Sequence, residues 1–195
     1  MPERRKPPGR QMKQRFIRLV LVRHGECGGE PRQPELGPAL TSLGRRQADR
    51  VARRLAEEEF DHIYSSDLAR AYETAQAIRG SHPDTPYTVS EDIREVGEHF
   101  GVVDPTPELL RQRKAVARFS RRLLYHHRYG QNILVVAHER LIQLLVTLLA
   151  GLSPDKTILL SCHNTAVAVL MVSRRKPPVL VAANDVAHLL PGQVT

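Results

Sequence analysis

Residues 19–26 read Leu19-Val20-Leu21-Val22-Arg23-His24-Gly25-Glu26, four Leu and Val residues running straight into a charged, glycine-containing turn. A short unbroken apolar run is the mark of a strand buried on both faces, because its alternate side chains all meet apolar neighbours. Such strands need helices on both sides of their sheet, and the flanking sequence supplies them. Thr41 is placed to cap a helix over residues 41–59, with Ala48, Val51, Ala52 and Leu55 on one face. His62-Ile63-Tyr64 is a short strand, and residues 68–79 form a helix stopped by Gly80 and Pro83. Tyr87-Thr88-Val89 is a third strand. Residues 105–127 read as a long helix, with Asp104 or Thr106 near its start and Gly130 beyond its end. Ile133-Leu134-Val135-Val136 is a strand, residues 141–150 an apolar helix, and 167–172 and 179–183 further strands. Alternating β and α with continuous apolar strands implies an α/β sandwich around a mostly parallel sheet.

The whole chain is consistent with that reading. Its 195 residues suit one domain. At 41% hydrophobic and 26% charged it has the composition of a folded chain rather than a disordered one. The formal net charge is +8, but residues 1–15 hold six basic residues and one acid. They are expected to be a disordered basic tail ahead of a domain at 16–195. A second basic segment, residues 111–128, has seven basic residues and no acid. Two cysteines, Cys27 and Cys162, make no disulfide framework and fit a reducing compartment. The apolar stretch 16–22 is broken by Arg18 and has no cleavage site. The longest apolar run, 141–152, is too short to span a bilayer. A cytoplasmic protein without membrane attachment is expected; the oligomeric state is not legible.

In parallel sheets, ligands bind beyond the carboxyl ends of the strands. Arg23 and His24 follow the first strand, Arg70 the second, Glu95 the third, and His138 the strand at 133–136. Taken singly, each has a bland structural reading; together they fall on one edge. Phosphoryl transfer needs this set. Arginine matches phosphate oxygens bidentately. A neutral imidazole attacks phosphorus, a carboxyl group protonates the leaving oxygen, and a second histidine donates to the developing charge. No metal set is apparent, His126 and His127 being adjacent on a helix, and no cofactor is called for.

These residues lie in stretches that together resemble the histidine phosphatase superfamily, in its phosphoglycerate mutase-like branch. Residues 21–26, Leu-Val-Arg-His-Gly-Glu, are similar to the family signature. Residues 40–48 resemble its LTxxGxxQA segment, and residues 64–75 its YSSxLxRAxxTA segment. Arg94-Glu95 followed by Gly101, the strand end Val135-Val136-Ala137-His138, and Asn184-Asp185-Val186-Ala187-His188-Leu189 complete the order. The resemblance implies a three-layer α/β/α sandwich. It implies a phosphatase with His24 as the phosphorylated nucleophile, Glu95 as proton donor, and Arg23, Arg70 and His138 around the phosphate. The implied partner is a small phosphorylated substrate, or more widely a phosphoprotein. Three positions depart from the pattern: Cys27 stands where Thr or Ser is frequent, the loop 27–40 has no Asn, and Glu139 stands where a small residue is usual. A carboxylate beside an anion site is expected to point away or to pair with Arg140.

Rival readings are weaker. Mutase-type transfer belongs to the same family, but the chain lacks the long insertions of true phosphoglycerate mutases. A cysteine phosphatase needs five residues between Cys and Arg, whereas Cys27 and Arg32 have four between them, one an acid. Cys27 is better read as pocket wall, and Cys162 and His163 as structural. A nucleic-acid-binding scaffold draws on the basic segment, yet aromatic content is 5% with no Trp, so stacking platforms are scarce.

Overall fold

The computed structural model describes residues 15–97 and 104–195. All but Arg15 of the basic tail, and Gly101, lie outside the described residues. Strands β1 (Ile17–Arg23), β2 (His62–Ser66), β3 (Tyr87–Ser90), β4 (Asn132–Ala137), β5 (Val167–Val172) and β6 (Val179–Asp185) form one sheet in the order β3-β2-β4-β1-β5-β6. The β3, β2, β4 and β1 pairings are parallel; β5 runs antiparallel to both β1 and β6. The sheet is therefore mostly parallel, as expected.

Period-two alternation along β1 builds the layers. Ile17, Leu19 and Leu21 pack on one face with Val116, Phe119 and Leu123 of α3 (Pro107–His126) and Leu141 and Leu145 of α4 (Glu139–Leu149). Val20 and Val22 pack on the other face with Val51 and Leu55 of α1 (Ser42–Leu55) and Ala75 and Ile78 of α2 (Ala69–Arg79). Strand β4 alternates in the same way, so two helices cover each face of the sheet and the three-layer α/β/α sandwich is borne out.

Helix boundaries differ from the sequence reading at two places that matter. Helix α1 stops at Leu55 rather than Glu59. Glu57, Glu58 and Glu59 would place three carboxylates at the negative end of the helix dipole, and Glu58 is drawn off to Arg18. Helix α4 begins at Glu139 rather than Leu141, so the chain passes from β4 into the helix through His138 alone. Helix α3 starts after Thr106, whose hydroxyl accepts the N–H of Leu109, with Pro107 fixed in the first turn.

The turn after β1 is held by a contact that only glycine permits. A Cβ on Gly44 would lie 1.9 Å from the Glu26 carbonyl oxygen, and one on Gly25 2.5 Å from the Gly44 carbonyl oxygen. The start of α1 thus rests backbone to backbone on the loop that carries His24.

Candidate active site

The β1–β4 register sets Arg23 beside Ala137, so the residues that follow them, His24 and His138, emerge side by side. Their ring centroids are 5.1 Å apart and nearly edge to face. Both rings are buried, His138 completely.

Two hydrogen bonds fix the tautomer of His24. Its Nδ1 lies 2.7 Å from the Gly25 carbonyl oxygen, which only accepts, so Nδ1 carries the proton. Its Nε2 accepts the Nε–H of Arg70 at 3.1 Å. The Nε2 lone pair therefore faces Arg70. Burial, then the charges of Arg70 and Arg23, push the His24 pKa down to about 3, and the imidazole is neutral around neutral pH. For His138, Nε2 meets the Ser66 hydroxyl at 3.0 Å. That oxygen also accepts the Leu68 N–H. Among the described residues the buried Nδ1 has no partner. Burial first, with His24, Arg70 and Arg23 adding to it, holds the His138 pKa well below the usual histidine range.

The arginines converge from opposite sides. Arg70 is in the first turn of α2, after β2; Arg23 ends β1. Arg23 Nη1 donates to the Cys162 carbonyl at 2.5 Å and pairs with Glu139 at 3.2 Å, while its buried Nε is without a partner among the described residues. Glu95 follows the short turn Glu91–Ile93 after β3. Its neighbour Arg94 is clamped to Asp67 at the end of β2. Burial raises the Glu95 pKa, against the N–H groups of Val96 and Leu141 and the charge of Arg70. Such a carboxyl can carry and give up a proton. All five residues singled out in the sequence thus come from one edge of the sheet. A larger cavity of about 780 Å³ lies at the opposite edge and is lined by none of the five.

The family model of the histidine phosphatase superfamily, branch 1, matches residues 19–123 and 107–186 of this chain. The chain belongs to the histidine phosphatase superfamily. It is similar to Phosphoglycerate mutase-like protein 4 of Arabidopsis thaliana, 40% identical over 94 residues, a match spanning 45% of this chain and 41% of that one. It is 26% identical to Phosphoserine phosphatase 1 of Hydrogenobacter thermophilus over 203 residues, 89% of this chain and 95% of that one. The crystal structure of phosphoserine phosphatase from Entamoeba histolytica in complex with 3-phosphoglyceric acid superposes with a TM-score of 0.67 at 25% identity. That match covers 90% of this chain and 100% of that one. The resemblance read from the sequence is borne out: this chain is a histidine phosphatase, an enzyme of phosphomonoester chemistry.

In this histidine phosphatase the motif residues without an assigned role prove to hold the loop that carries His24. Thr74, fully buried, accepts the Gly25 N–H at 3.1 Å and donates to the Arg70 carbonyl at 2.7 Å. Gln47, also buried, accepts the Glu26 N–H at 2.7 Å and donates to the Gln193 carbonyl. The Thr41 hydroxyl donates to the Glu26 carboxylate and caps α1 by accepting the Gly44 N–H. Asn164 donates to the His24 carbonyl at 2.9 Å. Their membership in quoted motifs was the available signal for Thr41, Gln47, Ser66 and Thr74; nothing singled out Asn164.

Three expectations are corrected or sharpened. Glu139 pairs with Arg23, not Arg140, because α4 starts at Glu139 and its first turn faces the end of β1. Burial raises the thiol pKa of Cys27 and pushes that of Cys162 up to about 12, so neither is a ready nucleophile. Three arginines of the basic segment 111–128 are ion-paired: Arg111 with Glu108, and Arg118 and Arg122 with Asp92. Arg111 and Arg118 line, with Glu95, a cavity of about 390 Å³. No helix among the described residues is long and apolar enough to cross a membrane.

Proposed function

We propose that the chain hydrolyses a small phosphomonoester in two steps through a phosphohistidine on His24. The observation that carries this reading is the locked His24 tautomer, with Nδ1–H tied to the Gly25 carbonyl and the Nε2 lone pair set among Arg70, Arg23 and His138. Phosphate oxygens displace the Arg70 hydrogen bond from Nε2 and take the free edges of both guanidinium groups and the Nδ1 of His138, which has no partner among the described residues and carries the proton with Ser66 donating to the other ring nitrogen. Nε2 attacks phosphorus in line; the P–N bond forms as the bond to the alcohol oxygen breaks. Protonated Glu95 gives its proton to that oxygen. The same carboxylate then takes a proton from water, whose oxygen attacks phosphorus; the P–N bond breaks and inorganic phosphate leaves. Pre-arranged donors stabilise the charge on the equatorial oxygens in both steps.

Relatives named for phosphoserine support a small phosphorylated metabolite as the substrate class. A phosphoprotein is the wider option within the same chemistry. The mutase-like relative supports a second reading, return of the phosphoryl group to a second hydroxyl. A single catalytic domain at 16–195 behind a basic tail, in the reducing cytoplasm, is part of the proposal and agrees with two free thiols.

Rapid quenching of the enzyme with a ³²P-labelled aryl phosphate should trap an acid-labile, base-stable phosphoenzyme, absent in His24→Ala. Free phosphate should account for all turnover. Full activity in His24→Ala would refute the phosphohistidine, and transfer to an added alcohol in place of phosphate release would favour the mutase reading.

A further inference from the structure

Among the described residues Glu139 is the one carboxylate paired with a phosphate-site arginine, and the steps above give it no task. The pairing leaves the fork of Arg23 usable. Nη1 is taken by Glu139 and the Cys162 carbonyl, while the buried Nε edge has no partner among the described residues. A guanidinium presents its donors in a planar fork, so the Nε edge can meet a phosphate while Nη1 stays tethered. Glu139 therefore changes the charge of the pocket, not its capacity to bind. Arg23 and Glu139 together are formally neutral. Arg70, with no ion pair among the described residues, is then the one uncompensated cation at the nucleophile.

Glu139 also has a defined side. Its helix α4 supplies the Leu141 N–H that Glu95 accepts, two residues further along the same first turn. The carboxylate thus shares a helix end with the proposed proton donor, where the leaving alcohol must sit. Other cations on that side are spoken for: Arg94 by Asp67, Arg111 by Glu108, Arg118 by Asp92. Arg140, next in sequence, is exposed; its charge also reaches Glu95, as the smallest of the influences on that carboxyl, and solvent and salt screen it.

We infer that Glu139 is a specificity-determining residue that selects against phosphomonoesters whose alcohol carries a second anion close to the phosphate, and admits neutral or cationic alcohols. The inference rests on the phosphomonoesterase reading above.

Phosphonates test it without turnover, because their C–P bond survives. Calorimetry on the whole chain compares propylphosphonate, 2-carboxyethylphosphonate and 2-aminoethylphosphonate. A fixed charge several ångströms away near a protein surface shifts binding by about tenfold. The wild type should bind the carboxyethyl compound about tenfold more weakly than the propyl one, and the aminoethyl compound no more weakly. Glu139→Gln should cut the carboxyethyl penalty to about twofold. Glu139→Asp, which keeps the charge, should retain most of it, and Glu139→Ala repeats the neutral comparison should the glutamine variant misfold. A penalty unchanged in both neutral variants, or absent in the wild type, overturns the inference. Failure of all three phosphonates to bind overturns both it and the phosphate pocket. The predicted binding pattern without hydrolysis of an aryl phosphate defeats the proposed function alone.

Discussion

Thr74→Val separates the scaffold of the His24 loop from His24, the proposed nucleophile. Valine has nearly the shape of threonine, so no cavity opens at this fully buried site. What is lost is the oxygen that accepts the Gly25 N–H at 3.1 Å and donates to the Arg70 carbonyl at 2.7 Å. A buried N–H left without a partner costs about 1 to 3 kcal/mol. For a chain of this size that is a fall in Tm of about 3 to 10 °C. Gly25 directly follows His24, and its carbonyl fixes the His24 tautomer. Arg70, one turn before Thr74 in α2, donates to His24 Nε2. A single hydroxyl therefore ties both halves of the proposed attacking geometry together. Misplacing reacting groups by about 1 Å costs roughly a hundredfold in rate, so kcat/KM should fall about 10- to 100-fold beyond any loss of folded protein. Thr74→Ser keeps the hydroxyl and sacrifices only a methyl group; its kcat/KM should stay within about threefold of wild type. The assay is steady-state hydrolysis of an aryl phosphate well below the lower Tm, beside thermal denaturation of all three proteins. Equal kcat/KM in the valine and serine variants would refute the reasoning, whatever their melting temperatures.

The remaining predictions concern charge. Glu95→Gln should slow alkyl phosphates far more than aryl phosphates with good leaving groups, because only a poor leaving group needs the proton; an equal loss across a leaving-group series would remove Glu95 from the acid role. His24 is held down to a pKa of about 3 in the folded chain, below its unfolded value. The unfolded state therefore binds more protons between those two values, and stability falls as pH drops through that window. At about pH 4.5 the contribution lost is about 2 to 3 kcal/mol. Urea midpoints compared at neutral pH and about pH 4.5 should fall further for wild type than for His24→Gln; parallel losses would show that burial of His24 carries no such cost.

The sheet was legible because its strands announce themselves. Residues 19–22 and 133–136 are unbroken apolar runs, and both register with each other in the centre of the sheet. The end of α1 was not legible: helical periodicity runs on into Glu57-Glu58-Glu59, but three carboxylates at a helix C-terminus lose to Arg18 on the neighbouring strand, a partner no local window contains. At the site, His24, Arg23, Arg70, Glu95 and His138 were legible as residues that follow strands. The partner of Glu139 was not, since it depends on α4 starting two residues earlier than its apolar run. Thr74 and Gln47 illustrate the middle case. Their positions stood in plain view inside motifs, while their task, holding the backbone of the His24 loop, exists only once α1 and α2 are packed against it.

The Gly25–Gly44 contact has a consequence for how such a chain can vary. Most packing contacts can drift, because a larger side chain on one partner is answered by a smaller one on the other. Here neither partner has a side chain to give up: a Cβ at either position meets main-chain oxygen. No second substitution at the partner can relieve the first, so the two positions have no compensating path between them. The surrounding loops can be rewritten for new substrates while this point of main-chain contact stays fixed, and the His24 loop inherits its permanence.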